Sequence, residues 1–128
     1  MDKLLTGRRV LVVEDEMLVL MNTEDMLADL GCTSVSAAAT VNEALALIDG
    51  QYFDAAMLDM NLDGDETGSV ADALAARGVP FLFATGYGSR GRTGGHNDRP
   101  LLKKPFLLNG LAEMLTRLLP PLIERPGA

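Results

Sequence analysis

The sequence predicts an α/β fold, a doubly wound parallel sheet with helices on both faces. Three observations predict it. Short apolar or β-branched runs alternate with stretches of helical period, which is the rhythm of successive βα units. Glycines and prolines fall at the joints, as at Gly31, Gly50, Gly78 and Pro80. The most abrupt joint lies in Tyr52 to Gly64, where the apolar run Ala55 to Leu58 stops at Asp59 and a polar, glycine-containing turn follows. Open α/β sheets bind ligands outside the carboxyl ends of their strands, so a carboxylate at such an exit is a candidate for chemistry.

Each element has its own signal. Arg8 to Val13 is rich in β-branched residues and forms the first strand, ended by Glu14-Asp15-Glu16. Residues 16 to 30 read as the first helix, because Val19, Thr23, Met26, Leu27 and Leu30 share one face. Gly31 follows as its C′ residue. Cys32 to Ser36 is a short second strand. Thr40 and Glu43 have capping-box spacing, so the second helix starts there and runs to Asp49, with Ala44, Leu45 and Ile48 inward and Gly50 closing it. The third strand is Asp54 to Asp59. A polar loop from Met60 to Gly68 leads to a third helix over about residues 69–77. Phe81 to Ala84 is the fourth strand.

Residues 86–98 hold five glycines in thirteen positions. Each glycine inside a helix costs roughly 0.5–1 kcal/mol relative to alanine. A flexible loop is therefore expected where the rhythm would place a fourth helix. Leu101 to Lys103 is a short last strand. Leu108, Leu111, Ala112, Leu115, Leu118 and Leu119 line one face of a final helix over 107–119, which Pro120-Pro121 ends.

Composition narrows the function classes. The 128 residues suffice for one domain with a real core, and 48% of them are hydrophobic. No apolar run reaches the roughly 18 residues of a membrane-spanning helix, and the N-terminus lacks the pattern of a signal peptide. Cys32 stands alone, so no internal disulfide forms. A cytoplasmic protein is expected. The net charge of −7 argues against nucleic acid or an anionic membrane as partner. Five of the eleven basic residues (Arg90, Arg92, Arg99, Lys103 and Lys104) nevertheless fall within fifteen positions. They are either a solvated loop or a docking or phosphate-facing rim.

With right-handed βα units and strand order 2-1-3-4-5, the first and third strands lie side by side at the centre. Their carboxyl ends carry Glu14, Asp15 and Asp59. Three carboxylates in one cleft repel each other, and a hard divalent cation relieves that repulsion. Mg2+ takes one or two carboxylates with waters and phosphate oxygens. The fourth strand ends near Thr85 and the fifth near Lys104, followed by Pro105. A cation, a hydroxyl and an ammonium group together suit a phosphoryl group in transfer.

Glu14-Asp15, Asp59, Thr85 and Lys104-Pro105-Phe106 match, in order and position, the motif set of receiver domains of two-component response regulators. The resemblance spans about residues 8–119 and implies the flavodoxin-like (βα)5 fold. Phe83-Ala84-Thr85-Gly86-Tyr87 resembles more narrowly the FATGUY subfamily, whose members share a shortened fourth helix. Those members are commonly single-domain regulators served by HWE or related histidine kinases. Residues 1–128 are thus expected to be one receiver domain with no output domain.

The resemblance implies a role for each motif residue. Asp59 accepts the phosphoryl group from a sensor histidine kinase or a phosphotransfer protein. Asp15, Asp59 and the Asn61 backbone carbonyl bind Mg2+, or Mn2+ as a substitute, with Glu14 acting through a water. Thr85 and Lys104 hold phosphoryl oxygens, and a cis bond at Pro105 aims the lysine. Asn61 and Tyr87 tune water access, and Gly86 leaves room for the incoming phosphohistidine. The 86–106 region carries the signal to a downstream partner, or the domain drains phosphate from a kinase. No turnover of an external substrate is implied.

One position departs from the family. Receivers place an aromatic residue three positions before the lysine, and here it is Leu101. Tyr87 or ordering of the 86–99 loop then stands in for the usual switch. Three rival readings are weaker. Asp59-x-Asn61-x-Asp63-Gly64 matches half of an EF-hand loop, but the twelfth position is Val70 and the preceding segment is strand-like. An aspartyl-phosphate hydrolase usually has Asp, not Asn61, two residues after its nucleophile. A non-phosphorylated adaptor would have no need of so complete a pocket.

Overall fold

The computed structural model describes residues 3–62, 65–86 and 98–119. Five parallel strands form one sheet: β1 (Arg9–Val13), β2 (Ser34–Ala38), β3 (Ala55–Asp59), β4 (Phe81–Thr85) and β5 (Leu101–Lys103), in the order 2-1-3-4-5. Among the described residues there are four helices, α1 (Met17–Asp29), α2 (Val41–Gly50), α3 (Gly68–Ala76) and α4 (Leu108–Leu118). This is the flavodoxin-like arrangement expected. Tyr87 and most of the glycine-rich 86–98 stretch lie outside the described residues.

Two apolar layers sandwich the sheet because successive strand residues point to opposite faces. Leu11, Val13, Ala56, Leu58, Phe81 and Phe83 face α2 and α3, packing on Ala44, Ile48, Val70, Ala71 and Leu74. Val10, Val12, Ala55, Met57 and Leu82 face the other way, onto Leu20, Leu27, Leu111 and Leu115. The central strands are buried on both sides, which is why their sequences read as continuous apolar runs.

One boundary and one helix face differ from the sequence reading, and the core reaches further toward the N-terminus than the first strand. Cys32 belongs to the exit of α1, not to β2. Gly31, at φ +98°, lets its own N–H reach Ala28 O and the Cys32 N–H reach Leu27 O, so the strand starts only at Ser34. The buried face of α1 turns through Leu20, Thr23 and Leu27, while Val19, Met26 and Leu30 are only partly covered. The core also begins earlier than Arg8. Leu5 is fully buried, and its N–H donates to Leu30 O at 2.8 Å.

The capping box of α2 is present with one change. Thr40 Oγ1 accepts from Glu43 N at 3.1 Å, but Glu43 Oε1 reaches Ala39 N at 2.8 Å instead of Thr40 N. Thr40→Ala removes the cap and is expected to cost about 1 kcal/mol in urea unfolding. An unchanged midpoint would show that the tertiary contacts of α2 suffice without it.

At the amino end of the sheet, Asp54 ties β1 to β3. Its Oδ2 accepts from Arg9 N at 2.7 Å, and the buried Arg8 guanidinium lies 3.9 Å from Oδ1.

Candidate functional site

The parallel register brings the carboxyl ends of β1 and β3 together. Val13 pairs with Leu58, so Glu14 and Asp59 are the next residues outward on adjacent strands. Glu14 is held by its N–H, which donates to Ala38 O at 2.9 Å, and its side chain is buried beneath the cleft. Glu16 N donates to Glu14 Oε2 at 3.2 Å. Asp15 stands at the exposed rim and Asp59 between the two. One carboxylate oxygen from each of the three lies within 4.8 Å of the others.

Lys104 enters from the neighbouring edge. Its backbone N–H donates to Thr85 O at 2.7 Å, continuing the β4–β5 ladder, and the Lys104–Pro105 peptide bond is cis. Lys104 Nζ reaches Glu14 Oε1 at 2.5 Å and Asp59 Oδ2 at 3.3 Å. Thr85 is buried at the end of β4, and Gly86 beside it is exposed, with open space where a Cβ would stand. A groove of about 320 Å3 runs past this edge, walled by Val19, Thr23, Met26, Gly86, Lys104 and Phe106.

Charge in the cleft is only partly balanced. Burial pushes the Glu14 carboxyl up to about 7, and the Asp59 carboxylate adds to this against the opposing pull of Lys104. Burial alone would lower the Lys104 ammonium. The hydrogen bond to Glu14 and the charges of Asp59 and Glu14 outweigh it and hold the lysine above its ordinary value.

The sign for stability follows from Glu14 holding its proton more tightly when folded than unfolded. Its stabilising contribution is complete below about 4.5 and is lost as pH rises through about 7. Metal-free protein is therefore expected to melt at a lower temperature at pH 8 than at pH 6, and Glu14→Gln to flatten that slope. A slope unchanged in Glu14→Gln would assign it to other groups.

The donor set suits a hard cation. Among the described residues it brings together three carboxylates, that of Asp15 exposed, and Glu14 has an uncompensated proton affinity that a divalent ion would relieve. After Asp59 comes a two-residue antiparallel pairing, Asn61–Leu62 with Asp65–Glu66. The segment before it, β3, is a strand, which removes the helix that an EF-hand loop requires.

The sequence reading passed over one polar side chain at the site. Thr67 is fully buried, and its hydroxyl donates to Asp59 O at 2.8 Å and lies 3.3 Å from Met60 O. The only local signal was a threonine just before a helix, which points to a cap and not to a contact eight residues back.

A buried strand ending in a carboxylate, an acidic triad and a lysine delivered from the edge of a 2-1-3-4-5 sheet define the receiver class. The chain belongs to the response regulator receiver domain family, which it matches over residues 10–116. Receiver domains are signalling proteins rather than classical enzymes.

Among its relatives is the phyllosphere-induced regulator PhyR of Methylorubrum extorquens. The two are 33% identical over 104 residues, covering 76% of this chain but only 38% of PhyR. The solution structure of SdrG from Sphingomonas melonis Fr1 is 45% identical, covers 87% of this chain and 95% of SdrG, and superposes with a TM-score of 0.78. The BeF3-activated conformation of SdrG from Pseudomonas melonis Fr1 gives 46% identity, coverages of 88% and 96%, and a TM-score of 0.76. The receiver domain of the sensor histidine kinase PA1611 from Pseudomonas aeruginosa PAO1, with magnesium coordinated in its active-site cleft, is 26% identical. It covers 88% of this chain and 98% of that domain, with a TM-score of 0.74.

Proposed function

We propose that this domain is a phosphorylation switch whose acceptor is Asp59. The observation that carries the reading is the placement of Lys104 Nζ between Asp59 and Glu14, in a cleft where three carboxylates meet. An Asp59 carboxylate oxygen attacks the phosphorus of a partner's phosphohistidine. The P–N bond breaks, the new P–O bond forms, and the imidazole leaves with its electron pair. Lys104 pairs with one phosphoryl oxygen and Thr85 donates to another. The open side of Gly86 and the adjoining groove admit the imidazole.

Asp15, Asp59 and the Asn61 carbonyl would hold Mg2+, with Glu14 reached through a water. The ion would offset charge on the transferring phosphoryl oxygens. Three things support this assignment: the all-oxygen donor set, the magnesium in the PA1611 receiver and the BeF3-activated form of SdrG.

For this domain, which we place in the cytoplasm, the proposed donor is a sensor histidine kinase of HWE or related type, or a phosphotransfer protein, on the strength of the Phe83–Tyr87 motif. No helix among the described residues is long and apolar enough to cross a membrane. Leu101 sits half-buried against the α2–α3 layer, where an aromatic switch would stand. The change on phosphorylation is therefore assigned to the segment from Gly86 to Phe106 as a whole.

Phosphotransfer from radiolabelled histidine kinases in the presence of Mg2+ tests the reading. Label is expected to move to this chain from at least one kinase. No transfer from any kinase, and none from a small acyl phosphate, would overturn it.

A further inference from the structure

We propose that Thr67 is a positioning residue for phosphoryl acceptance. Its hydroxyl links the well-packed helix α3 to the two backbone carbonyls that flank Met60, those of Asp59 and Met60, and sets the direction in which the acceptor leaves β3. This rests on the reading of Asp59 as acceptor.

The ordinary job of a threonine at this place is to cap a helix. Thr67 is the N-cap residue of α3, yet its side chain makes no capping hydrogen bond. Thr40, in the same position on α2, does accept from the N–H three residues on. The Thr67 hydroxyl has a single proton. That proton is directed back along the chain, to Asp59 O at 2.8 Å with Met60 O as the longer leg at 3.3 Å. The residue is 0% exposed, so water does not compete for it.

The other end of the link is rigid. Thr67 O accepts from Ala71 N at 3.0 Å, and the first turns of α3 bury Val70, Ala71 and Leu74 completely in the core. Between the two ends lies the loop that carries Asn61. The Asp59 side chain already meets Lys104 Nζ at 3.3 Å, so a small rotation of its backbone would move the carboxylate relative to the lysine and to the carboxylates of Glu14 and Asp15. Groups that orient ligands from behind in this way commonly change metal affinity by roughly 10–100-fold when removed.

Thr67→Val keeps the shape and deletes the hydroxyl. Thr67→Ser keeps the hydroxyl. Thr67→Cys keeps only a weak donor and stands in if the valine variant does not fold. Mg2+ alone, and then Mg2+ with beryllofluoride, are titrated into each variant by amide-resolved NMR at a temperature where all are folded. Ile48→Val, a core change on α2 away from the cleft, controls for lost stability.

Thr67→Val is expected to weaken Mg2+ and beryllofluoride binding roughly tenfold, Thr67→Cys less, and Thr67→Ser little. Ile48→Val should lower the melting temperature without moving either affinity. Unchanged affinities in Thr67→Val and Thr67→Cys would overturn the proposal and leave Thr67 a purely structural tie. So would a Thr67→Ser variant as weak as Thr67→Val, because the hydroxyl would not be the working group. Failure of the unmutated protein to bind either probe would instead remove the acceptor reading beneath it, and would be seen before any variant is compared.

Discussion

Asp59→Asn is expected to abolish acid-labile, hydroxylamine-sensitive labelling by a phosphorylated kinase while the fold survives. The amide keeps the shape of the carboxylate but offers no anionic oxygen to attack phosphorus. The fold tolerates the change for an electrostatic reason. Asp59 is one of the groups that push Glu14 up to about 7, so its loss lets Glu14 ionise more readily. Lys104 loses its 3.3 Å contact but keeps the one to Glu14 at 2.5 Å. Metal-free Asp59→Asn should therefore melt no lower than the unmutated protein, and the response of melting temperature to Mg2+ should shrink. Full labelling of the asparagine variant would remove Asp59 from the mechanism, whatever the melting data showed.

Lys104→Met should separate two effects of the same ammonium group. In the metal-free protein Lys104 neutralises the buried Glu14, so its removal leaves an unpaired carboxyl next to a second one. Breaking a buried pair by deleting one partner commonly costs about 3–5 kcal/mol. The lower end, about 3 kcal/mol, is expected at pH 8 in a chelator, because Glu14 can escape part of the penalty by taking up a proton. The loss should narrow toward pH 6, where that proton is more available. Mg2+ should recover much of the stability and bind more tightly than to the unmutated protein, since no ammonium then opposes the cation. Urea unfolding in chelator and in Mg2+, at the two pH values, checks this. A variant as stable as the unmutated protein without metal, and indifferent to Mg2+, would show that the lysine contact carries little.

Legibility of the fold varied with the range of the interactions. The alternation of strands and helices, the glycines ending α1 and α3, and the Thr40–Glu43 cap are short-range features. Gly31 and Gly78 do adopt positive φ, at +98° and +69°, and each releases two N–H groups to close its helix. Boundaries failed where such a closure consumed residues assigned to the next element, as Cys32 shows. The face of α1 was misjudged for a related reason. Several apolar residues populate more than one side of that helix, leaving Met17, Leu18 and Met21 exposed, so periodicity alone does not select the buried stripe.

The site divides along the same line. Glu14, Asp15, Asp59, Thr85, Lys104 and Pro105 were legible because each sits at the end of a strand, and strand ends are read from local pattern. Local pattern is enough to say which residues stand at the carboxyl ends of the sheet. Their distances arise instead from strand register in the folded sheet: Val13 beside Leu58, and Thr85 beside Lys103. The same long-range packing makes Lys104 bridge two carboxylates, buries Glu14 so that it is reluctant to ionise, and turns Thr67 back to Asp59. None of these has a sequence period. Each depends on where loop closure and sheet pairing bring residues that lie eight to ninety positions apart, and that is set by packing of the whole core rather than by any stretch of the chain.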